Sequence, residues 1–148
     1  MGPTNKIVSK SPDVNKPEYR AITFDELRVA YKLQVDALIN GGGDVLLVEA
    51  ILDRLNAKAA LFAIEEVKEE RQIEISIMVS GIITDASGRT LPGQTVEAFL
   101  TSISHTPLLS VGFNCALGAE QLKPYLQRLS NKTAFYASAH LNSGWQYG

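Results

Sequence analysis

Apolar positions along the chain fall into two alternating patterns. Three short runs, Asp44-Val45-Leu46-Leu47-Val48-Glu49, Ser76-Ile77-Met78-Val79-Ser80-Gly81 and Leu108-Leu109-Ser110-Val111-Gly112-Phe113, begin 32 residues apart, and a fourth, Ala134-Phe135-Tyr136-Ala137-Ser138-Ala139, begins 26 residues later. They are short, partly β-branched or aromatic, and largely apolar without alternation, which predicts strands buried on both faces of a parallel sheet. Between them the apolar residues recur at helical spacing. Leu55 to Arg71 carries Leu55, Ala59, Phe62, Ala63 and Val67 on one stripe, and Glu65, Glu66, Lys68, Glu69 and Glu70 read as a solvated face. Thr95 to Ser104 offers Val96, Phe99, Leu100 and Ile103, and Ala119 to Ser130 offers Leu122, Leu126 and Leu129, with Pro124 restricting or kinking the start of that helix.

Upstream, Thr23-Phe24-Asp25-Glu26 has the form of a capping box, in which hydroxyl and carboxylate each satisfy a free amide of the first turn. The helix it opens runs through Leu27, Ala30, Tyr31 and Leu38 and stops at Gly41-Gly42-Gly43, where glycine can take the left-handed conformation. The predicted order is α, β, α, β, α, β, α, β. A period near 32 is what a (β/α)8 barrel of about 250 residues gives per unit. An open doubly wound sheet has the same periodicity, so both architectures stand at this point.

Composition narrows the function classes. The 148 residues suit one domain, and 45% hydrophobic with 20% charged residues is ordinary for a folded globular chain. Fourteen basic and 16 acidic residues give a net charge of −2, with no basic footprint for nucleic acid or an anionic membrane. The apolar runs are far shorter than the ~20 residues that span a bilayer. The first 20 residues are polar, hold Pro3, Pro12 and Pro17, and lack the apolar core of a signal peptide. Cys115 is the only cysteine, so no intrachain disulfide can form, and a reducing, cytoplasmic location is the expectation.

In either architecture chemistry gathers where the strands end at their carboxyl side, because the following loops converge there. Those ends carry Glu49, Ser80-Gly81, Asn114-Cys115 and His140, drawn from four units onto one rim. Burying a carboxylate costs several kcal/mol unless it is paired, roughly, which gives Glu49 either a binding or a capping role. By residue type alone, Cys115 reads first as a small buried hydrophobe and His140 as a surface or hydrogen-bonded histidine. Gly41-Gly42-Gly43 precedes a strand, whereas phosphate-cradling glycines follow one. One cysteine with His105 and His140 shows no spacing for a closed zinc site. Asp85-Ala86-Ser87-Gly88-Arg89-Thr90 has the make-up of a substrate loop on the rim side.

Several strings resemble one family, the homocysteine-binding barrel of cobalamin-dependent methionine synthase. They are Met1-Gly2-Pro3-Thr4-Asn5, Ser11-Pro12-Asp13-Val14-Asn15, Thr23-Phe24-Asp25-Glu26-Leu27 and Leu55-Asn56-Ala57-Lys58-Ala59-Ala60, followed by Ile83-Thr84-Asp85-Ala86-Ser87-Gly88-Arg89-Thr90-Leu91, Gly93-Gln94-Thr95 and Asn114-Cys115-Ala116-Leu117-Gly118. The resemblance runs from residue 1 to about 140. It implies a (β/α)8 barrel in which three cysteine thiolates hold zinc, and the zinc activates the homocysteine thiol toward methylcobalamin recharged from methyltetrahydrofolate. Cys115 then matches one zinc ligand, Glu49 the group that holds the substrate ammonium, and Ser80, Gly81 and Asn114 the pocket beside it. No residue is assigned a catalytic role.

Departures from the family pattern shape the expectation. The paired zinc cysteines of a Gly-Gly-Cys-Cys-Gly string and an opening Asp-Gly-Ala-Met-Gly-Thr strand have no counterpart, Ala50 and Ile82 stand where threonine is usual, and the string from Leu141 to Tyr147 differs. By resemblance the chain therefore holds the central units: a partial (β/α)8 barrel of about four parallel βα units, with residues 1–22 as a rim loop, 23–140 as the units and 141–148 as a divergent tail. It is expected to belong to a zinc-dependent homocysteine S-methyltransferase that is inactive as an isolated piece. Homocysteine and the remaining methionine synthase domains are its expected partners. A non-catalytic half-barrel serving as a structural or partner-binding module is the alternative. Zinc binding through Cys115, with His140 as an outside second ligand, should be weak, and the open edges of an unfinished barrel should favour a homodimer.

Overall fold

The computed structural model describes residues 1–2, 15, 22–51, 54–83, 95–115 and 119–141. The 85–90 loop, most of the 1–22 segment and the tail beyond 141 lie outside the described residues. In chain order the elements are α1 (Phe24–Asn40), β1 (Val45–Ile51), α2 (Arg54–Arg71), β2 (Ser76–Ile83), α3 (Val96–Ile103), β3 (Ser110–Cys115), α4 (Ala119–Lys132) and β4 (Tyr136–Leu141). The alternation expected from the sequence is what forms. Strands begin one or two residues later than the apolar runs, at Val45, Ser110 and Tyr136, because Leu108 and Phe135 pack before the ladder starts.

Helix α1 starts where its capping chemistry places it. Thr23 Oγ1 accepts from the Glu26 amide at 3.2 Å, and Glu26 Oε2 accepts from the Thr23 amide at 2.8 Å. At the other end Gly41 caps the helix and Gly42 adopts φ +85°, a conformation that a side chain would strain. Thr23→Ala should remove about 1 kcal/mol of stability, read as a lower urea midpoint at unchanged slope.

The sheet is fully parallel in the order β1-β2-β3-β4, each strand pairing with the next. Right-handed crossovers between sequential parallel neighbours put every connecting helix on one face. A doubly wound sheet instead reverses direction and carries helices on both faces. The architecture is therefore a run of barrel-type βα units. Alternation along the strands bears this out: Leu46, Val48, Ile77, Val79, Val111 and Phe113 are buried in the core with the helices.

The strands at the centre of the sheet are buried on both faces, as expected, with Ser80 and Ser110 buried on the face away from the helices, but that second face is polar rather than apolar. The face away from the helices carries Ser76, Ser80, Ser110, Asn114, Ser138 and His140, alternating with the core residues. A strand reads as continuously apolar in part because small serines and glycines interrupt the run without breaking it.

The stripe predicted on α2 also needs adjustment. Ala59, Ala63 and Val67 are buried, but Phe62 is 53% exposed and meets Phe24 edge-on with ring centroids 6.4 Å apart. The buried arc is wider and includes Ala60, Leu61 and Ile64, because α2 packs against α1 as well as the sheet. That packing recruits the acidic residues. Arg28 donates to both oxygens of Glu66 at 2.7 and 2.8 Å, Lys32 pairs with Glu70, and Arg71 pairs with Asp36 at 2.6 Å. The hydrogen bond and charge of Glu66 raise the Arg28 pKa further above its ordinary range. The charged residues of α2 thus form a seam between helices rather than a purely solvated face. On α1, Leu27, Tyr31 and Val35 are buried while Leu38 is half-exposed near the helix end. Pro124 lies within α4 close to its start, where the missing amide affects only the first turns. No helix among the described residues is long and apolar enough to cross a membrane.

Candidate functional site

The helix-free face is built in layers, because residues in register on parallel strands share a face. Met78, Ser110 and Tyr136 form one layer, Ser80, Gly112 and Ser138 the next, and Ile82, Asn114 and His140 the layer nearest the carboxyl ends. In a completed barrel such layers are usually filled by bulky branched side chains. Here the middle layer is two serines and a glycine. The lack of bulk is enforced between β3 and β4, since a Cβ on Gly112 would lie 2.1 Å from the Ser138 carbonyl oxygen and 2.3 Å from its hydroxyl.

Three of the rim residues expected from the sequence come together on this face. Ser80 is fully buried, and its hydroxyl donates to Asn114 Oδ1 at 3.2 Å, linking the middle layer of β2 to the upper layer of β3. His140 shares the Asn114 layer and is exposed. Glu49 reaches the same rim from β1. It follows Val48, which pairs with Val79 on the helix side, and a register irregularity between Val48 and Ile51 falls at this point. Alternation places Glu49 on the open face, where it is solvent-exposed.

Gly81 and Cys115 are placed differently. Gly81 faces the helices, where a Cβ would sit 2.9 Å from the ring tip of Phe99, so what it can offer the rim is its backbone. Phe99 in turn leans on Phe113 with ring centroids 5.7 Å apart, supporting the floor below the rim. Cys115 is the last residue of β3, in register with Ile83 and Leu141.

Two further hydroxyls escaped the sequence reading. Ser110 Oγ and Ser138 Oγ are buried with no hydrogen-bond partner among the described residues. The available signal was the period-two placement of Ser138 and His140 in Tyr-Ala-Ser-Ala-His, which marks one polar face of β4. Among the described residues no group of three or more histidine, cysteine, aspartate or glutamate side chains is disposed to hold a metal ion. A zinc site needs three or four protein ligands. The described donors therefore do not make one, and Cys115 can supply at most a single thiolate.

The open face offers a hydroxyl, a carboxamide, an imidazole and a carboxylate at the carboxyl ends of parallel strands, the edge at which barrel-type folds bind substrate. A family model described as homocysteine S-methyltransferase matches residues 1–148. With four sequential parallel βα units and this rim, the chain belongs to the homocysteine S-methyltransferase family.

Proposed function

We propose that the open-face rim binds homocysteine and that the chain forms part of a methionine synthase-type enzyme in the cytoplasm. The observation that carries this reading is the buried Ser80 hydroxyl bonded to Asn114 at the carboxyl end of the sheet. That bond engages the amide oxygen of Asn114 and leaves its NH2 as a donor toward the substrate. Glu49 holds the substrate ammonium by a charge-assisted hydrogen bond. Gly81 shapes the same strand end through its backbone.

The reaction of the family moves a methyl group onto the homocysteine sulfur, and a thiolate is the nucleophilic form of that sulfur. This chain's own contribution is to bind and orient the amino acid. Cys115 would be one zinc ligand in a set that these residues do not complete, and no step is assigned to the metal here. Methylcobalamin as methyl donor, methyltetrahydrofolate as its source and the remaining methionine synthase domains as partners belong to the same reading. The isolated chain is accordingly expected to form no methionine.

Calorimetric titration tests the substrate assignment. L-homocysteine should bind, and Glu49→Gln should raise its dissociation constant at least tenfold, about 1.4 kcal/mol. A thiol acid of the same length without the amino group should be indifferent to that substitution. Equal loss for both compounds, or no loss for either, would remove Glu49 from the site and favour a structural module.

A further inference from the structure

Below the rim, the helix-free face has a polar notch centred on Gly112. Register places Ser80 of β2 and Ser138 of β4 on either side of it, while Ser110 precedes and Asn114 follows it on the same face of β3. Three hydroxyls and a carboxamide thus surround the one position of the group that has no side chain. Ser138 leans over this position, its Oγ 2.3 Å from the place a Cβ on Gly112 would take.

Hydrogen bonding within the group is uneven. Ser80 is fully buried and donates its proton to Asn114 Oδ1, which leaves its own oxygen as an acceptor. Ser110 is 4% exposed, and its Oγ and that of Ser138 are buried with no hydrogen-bond partner among the described residues. A buried hydroxyl without a partner has given up its hydration for nothing, so two of them on one notch call for a shared ligand. Side chains two residues apart on a strand stand roughly 6.6 Å apart, and Ser138 Oγ sits one such step from Ser110. A single oxygen between the two hydroxyls reaches both, since two successive hydrogen bonds of about 2.8 Å span up to about 5.6 Å.

We propose that the notch over Gly112 binds one internal water molecule, which accepts from the hydroxyls of Ser110 and Ser138 and donates to Ser80 Oγ. Three hydrogen bonds are what a buried water typically makes, about one for each of these residues. The chemistry of the notch selects water over an ion. Ser80, Ser110, Ser138 and Asn114 are all uncharged, so an ion would lose its hydration there with no opposite charge in return. Bound in this way, the water holds the Ser80 proton on Asn114 and ties the carboxamide at the rim to β4 through a continuous polar chain. Ser110 and Ser138 are then positioning residues for Asn114. The site stands on the notch alone, whether or not the rim binds homocysteine.

Oxygen-17 relaxation dispersion on the full chain counts water molecules held longer than the tumbling time, and hydroxyl protons do not enter it. The wild type should hold one more such water than the Ser110→Ala/Ser138→Ala variant, and the side-chain amide signals of Asn114 should shift between the two. Urea midpoints give a second readout. Either single substitution should lower the midpoint, and the second should cost little more once the water has gone, a departure from additivity. Hydroxyls without a ligand behave in the opposite way: removing each leaves the midpoint unchanged or raises it, and the two effects add. An equal water count in the wild type and the double variant, or additive substitutions that do not destabilise, would overturn the proposal. Neither measurement uses homocysteine, so failure here is distinct from failure of the substrate assignment.

Discussion

Gly112→Ala is expected to destabilise the chain by about 3 kcal/mol or more, at the upper end of overpacking effects. The new methyl carbon would meet the Ser138 carbonyl oxygen at 2.1 Å, and that atom belongs to the backbone of the adjacent strand. Relief therefore requires β4 to separate from β3, with loss of the ladder from Ser110–Tyr136 to Cys115–Leu141. Gly81→Ala provides the comparison. Its closest obstacle, 2.9 Å away, is the ring tip of Phe99, a side chain that can move. The expected order of urea midpoints is wild type, then Gly81→Ala, then Gly112→Ala. Equal midpoints for the two variants would mean that β3 and β4 do not approach as closely as described.

Phe99→Ala is the second large effect, with an expected loss of about 3–5 kcal/mol, the range for removing a buried aromatic ring. Phe99 is 1% exposed and fills the space between Gly81 and Phe113, joining α3 to the sheet directly beneath the rim. Because the same ring limits what position 81 can hold, the two positions should be coupled. Gly81→Ala should cost much less in a Phe99→Leu background than in the wild type, a departure from additivity readable in a double-mutant cycle. Additive costs would show that the methyl group is accommodated elsewhere.

Element order was legible because each signal was local. The Thr23–Glu26 capping box, the glycine stop after Asn40 and the apolar runs all act within a few residues of chain, and each element formed where they act. Sheet order was not legible, since periodicity is the same for a barrel and a doubly wound sheet. Only the sequential pairing and the single helix layer separate the two. The pairing of Glu66 and Glu70 with Arg28 and Lys32 was hidden for a related reason: it depends on where α1 packs, which no local pattern on α2 encodes.

The rim shows the same division. Asn114 and His140 could be placed next to strand ends from the chain alone, because alternation and strand termination are local properties, whereas β1 and β2 run on past Glu49 and Ser80 to Ile51 and Ile83. That Gly81 serves the helix side, and that Ser138 crowds Gly112, depends on interstrand register and could not be read from spacing. Cys115 was assigned to zinc through the family resemblance, and the donor set around the described residues does not enlarge that assignment.

Homocysteine is proposed to occupy the helix-free face at the carboxyl ends of the strands. Amide NMR during titration with reduced L-homocysteine to millimolar concentration tests it most directly. Saturable shifts are expected at Glu49, Ser80, Ile82, Asn114 and His140, with little change along the outer flank of α1 and α2. Saturable shifts confined to the helices, or no shift anywhere at millimolar homocysteine, would contradict it.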